Sequence, residues 1–184
     1  MTRFIVTLAL LAVAVVLGIA AFVWSGQYDI SANVQHLQPV HSLLEKMMHQ
    51  SVRRRAAQIK PPALDSAALV ARGAACYIAK CVQCHGGPGV AQAEIGRSMQ
   101  PLPGPLVDAA ARWRSQELYW ITRNGIKMSG MPAFEPTHSG DQLWELVAFL
   151  KMLPAMPASE YQDAVAYVAK SNGEKGHDVK AGSH

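Results

Sequence analysis

The first apolar run of the chain is long enough to cross a membrane. Residues 4–24 contain no charged residue and are interrupted only by Thr7 and Gly18. At ~1.5 Å per residue, a helix of this length measures about 31 Å and matches the hydrocarbon core of a bilayer. We therefore predict an uncleaved membrane anchor in residues 1–27. Arg3 predicts that the preceding side is cytoplasmic.

A cleaved signal peptide is the alternative for this run. Gly18-Ile19-Ala20 could serve as its cleavage site. The apolar region of signal peptides is usually shorter, about 7–15 residues, so we favour the anchor. Under either interpretation the rest of the chain is exported from the cytoplasm.

Residues 28–62 combine a connector with an amphipathic helix. The helix is predicted over residues 42–59, with a capping box of Ser42 and Glu45 at its start and Pro61 beyond its end. Apolar residues recur along it at steps of four, namely Leu44, Met48, Val52 and Ala56. This stripe must rest on the following domain, on a partner or on the membrane surface.

Two polar features of this helix are candidate binding sites. His41, Glu45 and His49 lie at steps of four and could hold a metal, but we favour a solvated polar face. Arg53-Arg54-Arg55 could contact anionic headgroups or an acidic partner, or could be solvated charge.

Residues 63–157 contain two amphipathic helices on either side of a segment rich in Gly and Pro. The first begins near Asp65, and the second is predicted over residues 141–153, where Pro154 ends it. A shorter helix is predicted over residues 115–123. The apolar stripe of the second long helix consists of Leu143, Leu146, Val147 and Leu150.

Residues 158–184 form a carboxy-terminal extension. A further helix is predicted over residues 159–170. The polar remainder, residues 171–184, has no apolar run and is expected to be disordered.

The sequence Cys81-Val82-Gln83-Cys84-His85 follows the first helix of residues 63–157. Cys-x-x-Cys-His is the attachment signal of a c-type haem, in which two thiols bind the porphyrin and the next residue offers an imidazole to the iron. Far downstream, Gly130-Met131-Pro132 can supply a thioether ligand to the other face of the haem iron. A redox dithiol or half a zinc site would explain the cysteine pair but not this methionine turn.

The three cysteines could also suggest an iron–sulfur site. Cys76, Cys81 and Cys84 have the spacing that opens a plant-type cluster motif. That site needs a fourth cysteine, and the chain has 3, which excludes it within a monomer. We interpret Cys76 as a small apolar residue, with a reactive thiol as the less favoured alternative.

Residues 65–153 resemble the class I c-type cytochromes. The resemblance rests on Gly73 and Tyr77 ahead of the Cys-x-x-Cys-His motif, on the Gly-Met-Pro turn and on the closing amphipathic helix. It implies an all-α fold, a small helical domain around one covalently bound haem c. In this family the first helix crosses the last one, with a glycine at the close approach.

The resemblance also implies the residues of the site. Cys81 and Cys84 would attach the haem, and His85 and Met131 would be the axial ligands of its iron. Met128, three residues before Met131, is the rival for the sixth position. Met99 matches nothing in the family pattern.

Further residues would surround the haem. By resemblance, a backbone carbonyl of Pro105, or else of Pro103, would accept the free N–H of the histidine ligand. Tyr119, Trp120 and Arg123 could border the haem or its propionates, with helix packing and surface charge as the alternative.

The net charge of the chain is +4, and its distribution is uneven. Residues 35–60 carry five basic residues against Glu45 and thus hold the whole excess. The residues around the haem motif are neutral by side chains. We therefore expect an acidic partner or a membrane surface at the basic helix, and no nucleic acid.

We interpret the chain as a membrane-tethered mono-haem cytochrome c on the periplasmic side of a bacterial inner membrane. It would carry single electrons between a respiratory or dehydrogenase donor and a downstream acceptor, through a haem edge between Cys84 and the Met131 loop. With both axial positions filled, the iron has no open position, so no catalysis is expected. The alternatives are an obligate haem c subunit of a membrane-associated dehydrogenase or oxidase complex, and a haem sensor or enzyme with a labile Met131.

Overall fold

The computed structural model describes residues 1–181, with side chains described as far as residue 170. The described residues form α-helices and no strand, which confirms the predicted all-α fold. The helices are α1 (Thr2–Trp24), α2 (Gln38–Ala56), α3 (Ala67–Lys80), α4 (Val82–His85), α5 (Glu94–Arg97), α6 (Ala109–Arg112), α7 (Ser115–Asn124), α8 (Gly140–Met152) and α9 (Ala158–Ala181). Two 3₁₀ turns cover Leu106–Asp108 and Leu153–Ala155.

Helix α1 belongs to a first compact unit, residues 1–34, and the other helices belong to a second. No residue of α1 is buried. It is the single helix in the described part of the chain that is long and apolar enough to cross a membrane. A signal sequence would pass the same test, so the choice between anchor and signal peptide stays a prediction.

The core of the second unit is built on the crossing of α3 and α8. Gly73 lies at the contact, where an added Cβ atom would be 2.0 Å from the carbonyl oxygen of Glu145. The rings of Tyr77 and Phe149 pack beside it, with their centroids 5.2 Å apart. This arrangement confirms the predicted crossing with a glycine at the close approach.

Helix α2 covers Gln38–Ala56 instead of the predicted residues 42–59. Ser42 lies inside the helix, so the predicted capping box is wrong. Pro39 occupies the first turn, where its fixed φ favours a helix start and its missing N–H costs nothing. The helix ends at Ala56, three residues before the predicted end at residue 59.

The buried face of α2 packs on α7. Val52 and Ala56 are fully buried, and the imidazole of His49 stacks on the indole of Trp113 with ring centroids 4.4 Å apart. The apolar stripe of α2 therefore rests on its own domain. His49 belongs to this contact and not to a solvated face, which corrects the polar-face interpretation for that residue. No metal-binding group of His, Cys, Asp or Glu was found among the described residues.

Helix α9 packs on the same core. Tyr161 is fully buried and meets Tyr77 edge-on, with ring centroids 6.3 Å apart. Residues on both sides of the predicted boundary at 157 thus share one core. The helix continues past residue 170, its predicted end, because extending a formed helix needs no new nucleation. For residues 182–184, which lie outside the described residues, the expected disorder stays a prediction.

Candidate functional site

The two motif cysteines and the motif histidine lie within one helical turn. Cys81 ends α3 and begins α4, and its carbonyl accepts the backbone N–H of His85 at 2.9 Å. Cys81 is buried and Cys84 is half-buried, and both are free thiols among the described residues. Burial is the main factor that raises the pKa of the Cys81 thiol. The spacing therefore brings two unpaired sulfurs and one imidazole together.

Two tyrosines hold the turn that follows the motif. The hydroxyl of Tyr77 donates to the carbonyl of Gly86 at 2.7 Å. The ring of Tyr161 lies against Gly87, where an added Cβ atom would be 2.6 Å from Cζ. Sequence reasoning missed Tyr161. The pattern that could have indicated its burial is the recurrence of apolar residues in α9, where Tyr161, Val165 and Val168 follow each other at steps of four and three.

The imidazole of His85 is oriented by a backbone carbonyl. Its Nδ1 lies 2.8 Å from the carbonyl oxygen of Gly104. A carbonyl can only accept, so Nδ1 carries the proton and Nε2 of the neutral ring is free to bind a metal. Burial lowers the pKa of His85 despite the opposing effect of this hydrogen bond, which favours the neutral ring.

Gly104, and not Pro105 or Pro103, provides this carbonyl, so the sequence prediction was wrong by one residue. The carbonyls of Pro103 and Pro105 accept other donors, namely Gln92 and Arg112.

The methionine turn, residues 130–132, closes on α7. The backbone N–H of Ile126 donates to the carbonyl of Met131 at 3.2 Å, and the N–H of Met131 donates to the hydroxyl of Ser129 at 3.2 Å. Met131 is half-buried, whereas Met128 is 63% exposed and has a positive φ of 61°. Met131 is therefore partly enclosed by the domain, whereas Met128 faces solvent.

Met99, for which the sequence indicated no role, packs against this turn. A Cβ atom added at Gly130 would be 2.5 Å from the Met99 sulfur. On the other side of Met99, α5 lies against the motif, since a Cβ atom at Gly96 would be 2.7 Å from the carbonyl oxygen of Cys84. Residues 94–99 therefore bridge Cys84 and the methionine turn.

The residues of α7 serve mainly to hold the domain together. Tyr119 is buried and stacks on Trp144 with ring centroids 4.1 Å apart. Arg123 forms an ion pair with Glu135, beyond the methionine turn. For these two residues the structure favours the alternatives of packing and surface charge over a role at the propionates.

The side chains present suit a covalently attached haem. The two thiols are unpaired, the imidazole has a free Nε2, and thioethers lie on a separate turn. Such a group supplies reversible one-electron chemistry at its iron. The chain's own contribution is to fix the imidazole tautomer of His85 through Gly104 and to hold Cys81 and Cys84 on one turn.

One family model matches part of the chain. Residues 68–150 match the family described as cytochrome C oxidase, cbb3-type, subunit III. These residues form a c-type cytochrome domain. The match includes both the Cys-x-x-Cys-His motif and the methionine turn, and it covers less than half of the chain. No curated protein and no solved structure gave a match.

The cytochrome domain establishes the general chemistry of the chain. Its cofactor is a covalently bound haem c, and its role is electron transfer with redox protein partners. Helix α1 is compatible with a single-pass membrane anchor.

Proposed function

We propose that this chain is a mono-haem electron carrier, tethered by α1 to a bacterial inner membrane with its haem in the periplasm. It carries single electrons from a respiratory or dehydrogenase donor to a downstream acceptor. Cys81 and Cys84 attach the haem, and His85 and Met131 bind its iron. The observation that carries this proposal is the hydrogen bond from His85 Nδ1 to Gly104, because it leaves Nε2 free for the iron.

Covalent attachment at Cys81 and Cys84 predicts that the denatured protein keeps one haem per chain through acid–acetone extraction. Thioether bonds survive this treatment, whereas a haem held by axial ligands alone is released. The measurement is the haem content of the protein pellet and of the solvent. Cys76→Ala serves as the matched control and should retain the haem, while Cys81→Ala plus Cys84→Ala should lose it. Free haem in the extract of the wild-type protein would contradict the proposal.

Electrons are proposed to pass at the haem edge between Cys84 and the methionine turn. The segment that bridges these two places is bordered by three exposed apolar side chains. Ile95 is 54%, Leu102 is 56% and Met128 is 63% exposed. Apolar contact at this edge would bring a partner's redox centre close without a fixed set of ion pairs.

A second candidate is an obligate haem c subunit of a dehydrogenase or oxidase complex. The matched family is named for a subunit of an oxidase. The outer face of α2 supports this candidate, because Leu43 and Met47 are about three-fifths exposed and Val40 lies one turn before them. Co-purification with a large redox subunit in mild detergent would favour it over a mobile carrier.

Arg54 and Arg55 are proposed to steer the acidic partner, and replacing both by glutamine should slow electron transfer at low ionic strength. Exposed charges are screened over ~8 Å at physiological salt, so the difference should vanish at high salt. The measurement is the rate of reduction by the partner as a function of salt, and the haem spectrum should not change.

Arg53→Gln is the control for this pair. Burial alone would raise the pKa of Glu117, but the hydrogen bonds and charge of Arg114, together with the charge of Arg53, lower it. Arg53 thus faces a carboxylate of its own domain, and its loss should affect stability more than the rate. If the double variant transfers electrons normally while Met47→Asp releases the protein from a complex, the subunit candidate is correct.

A further inference from the structure

The loop that carries Gly104 has little backbone structure of its own. Residues 100–104 make no backbone-to-backbone hydrogen bond within the described part of the chain. Pro101, Pro103 and Pro105 have no N–H to donate. The position of the Gly104 carbonyl must therefore be fixed by contacts from elsewhere in the domain.

Three consecutive carbonyls of this loop accept side-chain donors. Gln92 Nε2 donates to Pro103, His85 Nδ1 donates to Gly104 at 2.8 Å, and Arg112 Nη2 donates to Pro105 at 3.0 Å. The hydrogen bond from His85 to Gly104 thus lies between the hydrogen bonds from Gln92 and Arg112. The peptide groups before and after the one that contains the Gly104 carbonyl are held by Gln92 and Arg112.

Gln92 ties the loop to the haem motif itself. The next residue, Ala93, donates its backbone N–H to the carbonyl of Gln83 at 3.0 Å, inside the motif. Gln92 is half-buried, whereas Arg112 is exposed. A half-buried hydrogen bond competes less with water, so Gln92 is the stronger of the two contacts.

We propose that Gln92, assisted by Arg112, is a positioning residue that sets the hydrogen bond between His85 and Gly104 and thereby the reduction potential of the haem. The inference rests on the proposed ligation of the iron by His85. A firm acceptor at Nδ1 makes the imidazole more electron-rich and stabilises ferric iron. Loosening the loop weakens this acceptor and shifts the equilibrium towards ferrous iron.

The test is Gln92→Met in the haem-loaded full-length protein, because methionine has a similar length and no donor. At a fixed ambient potential, the ratio of ferrous to ferric protein should rise roughly two- to fivefold. In the ferrous protein, the His85 Nδ1 proton, followed by NMR, should exchange with solvent roughly tenfold faster, since opening of the loop exposes it. Merely structural support would lower stability without moving these two quantities.

Gln50→Met is the matched control. It makes the same substitution on α2, outside the haem motif, where the Gln50 side chain is exposed. Substitution of Arg112 provides a second test. Here the measured quantity is the exchange rate of the His85 Nδ1 proton, because losing the charge of Arg112 would itself shift the reduction potential. Exchange should accelerate in Arg112→Met and much less in Arg112→Lys, which keeps a donor.

If Gln92→Met and Gln50→Met give the same potential and the same exchange rate, the proposal is wrong. If Gln92→Met folds poorly, equal exchange in Arg112→Met and Arg112→Lys would also overturn it. Failure of the proposed function is a distinct result, because it would appear in the wild-type protein as released haem in the acid–acetone extract.

Discussion

Replacing Met131 by alanine is expected to abolish the weak sulfur-to-iron band of the oxidised protein near the red end of the visible spectrum. It should also lower the reduction potential by roughly 100–300 mV, within the ~0.8 V range that axial ligands of haem span. The reason is that a thioether is a soft ligand and stabilises ferrous iron more than ferric iron. Optical spectra and a potentiometric titration measure the two effects.

Met128→Ala is the matched control for this prediction. Met128 lies on the same loop, is largely exposed and has a positive φ. Its truncation should therefore leave both the band and the potential unchanged. Loss of the band in Met128→Ala, with Met131→Ala unaffected, would reverse the ligand assignment. Carbon monoxide binding to the reduced wild-type protein at neutral pH would instead indicate a labile Met131 and a sensor or enzyme.

The haem motif could be predicted from sequence because it depends on local spacing, whereas the crossing of α3 and α8 was an expectation from the resemblance to class I c-type cytochromes. Cys81, Cys84 and His85 fall on one turn whenever the chain is helical there. Gly73 and Tyr77 lie on one face of α3 for the same reason. Such features need no knowledge of the rest of the fold.

The acceptor of the His85 hydrogen bond could not be predicted in the same way. Which carbonyl faces the imidazole depends on the path of an irregular loop, whose neighbouring carbonyls accept Gln92 and Arg112, 11 and 7 residues away in sequence. The family pattern led to Pro105 or Pro103, on either side of the correct residue.

Competition between local signals explains the error at α2. Ser42 and Glu45 satisfy the pattern of a capping box, but Pro39 offers an earlier start. Burial of Val52 and Ala56 against α7 supplies the tertiary stabilisation that the sequence alone left open. As a consequence, Arg53 faces Glu117 and the three arginines are not equivalent.

The core packing of α9 was missed because its composition is mostly polar. The sequence shows one aromatic residue in that helix near its start, Tyr161, and a second, Tyr167, which is 71% exposed. Burial of Tyr161 depends on the space above Gly87, which sequence does not reveal.

Replacing Gly73 by alanine is expected to destabilise the cytochrome domain by up to about 2 kcal/mol. Alanine would gain about 1 kcal/mol in helix propensity inside α3. Its Cβ atom, however, would lie 2.0 Å from the carbonyl oxygen and 2.6 Å from the carbonyl carbon of Glu145. These are backbone atoms of α8, so the two helices must separate, and overpacking of a core costs about 1–3 kcal/mol and occasionally more.

Urea unfolding of the haem-loaded protein, followed by tryptophan fluorescence, measures this change. Ala71→Gly is the matched control, because Ala71 is exposed on the same helix and the reverse substitution should cost about the same propensity of 1 kcal/mol. With the propensity term calibrated in this way, the remaining difference is the contact between α3 and α8. A Gly73→Ala variant that is more stable than wild type, by the amount that Ala71→Gly loses, would show that the two helices do not approach closely.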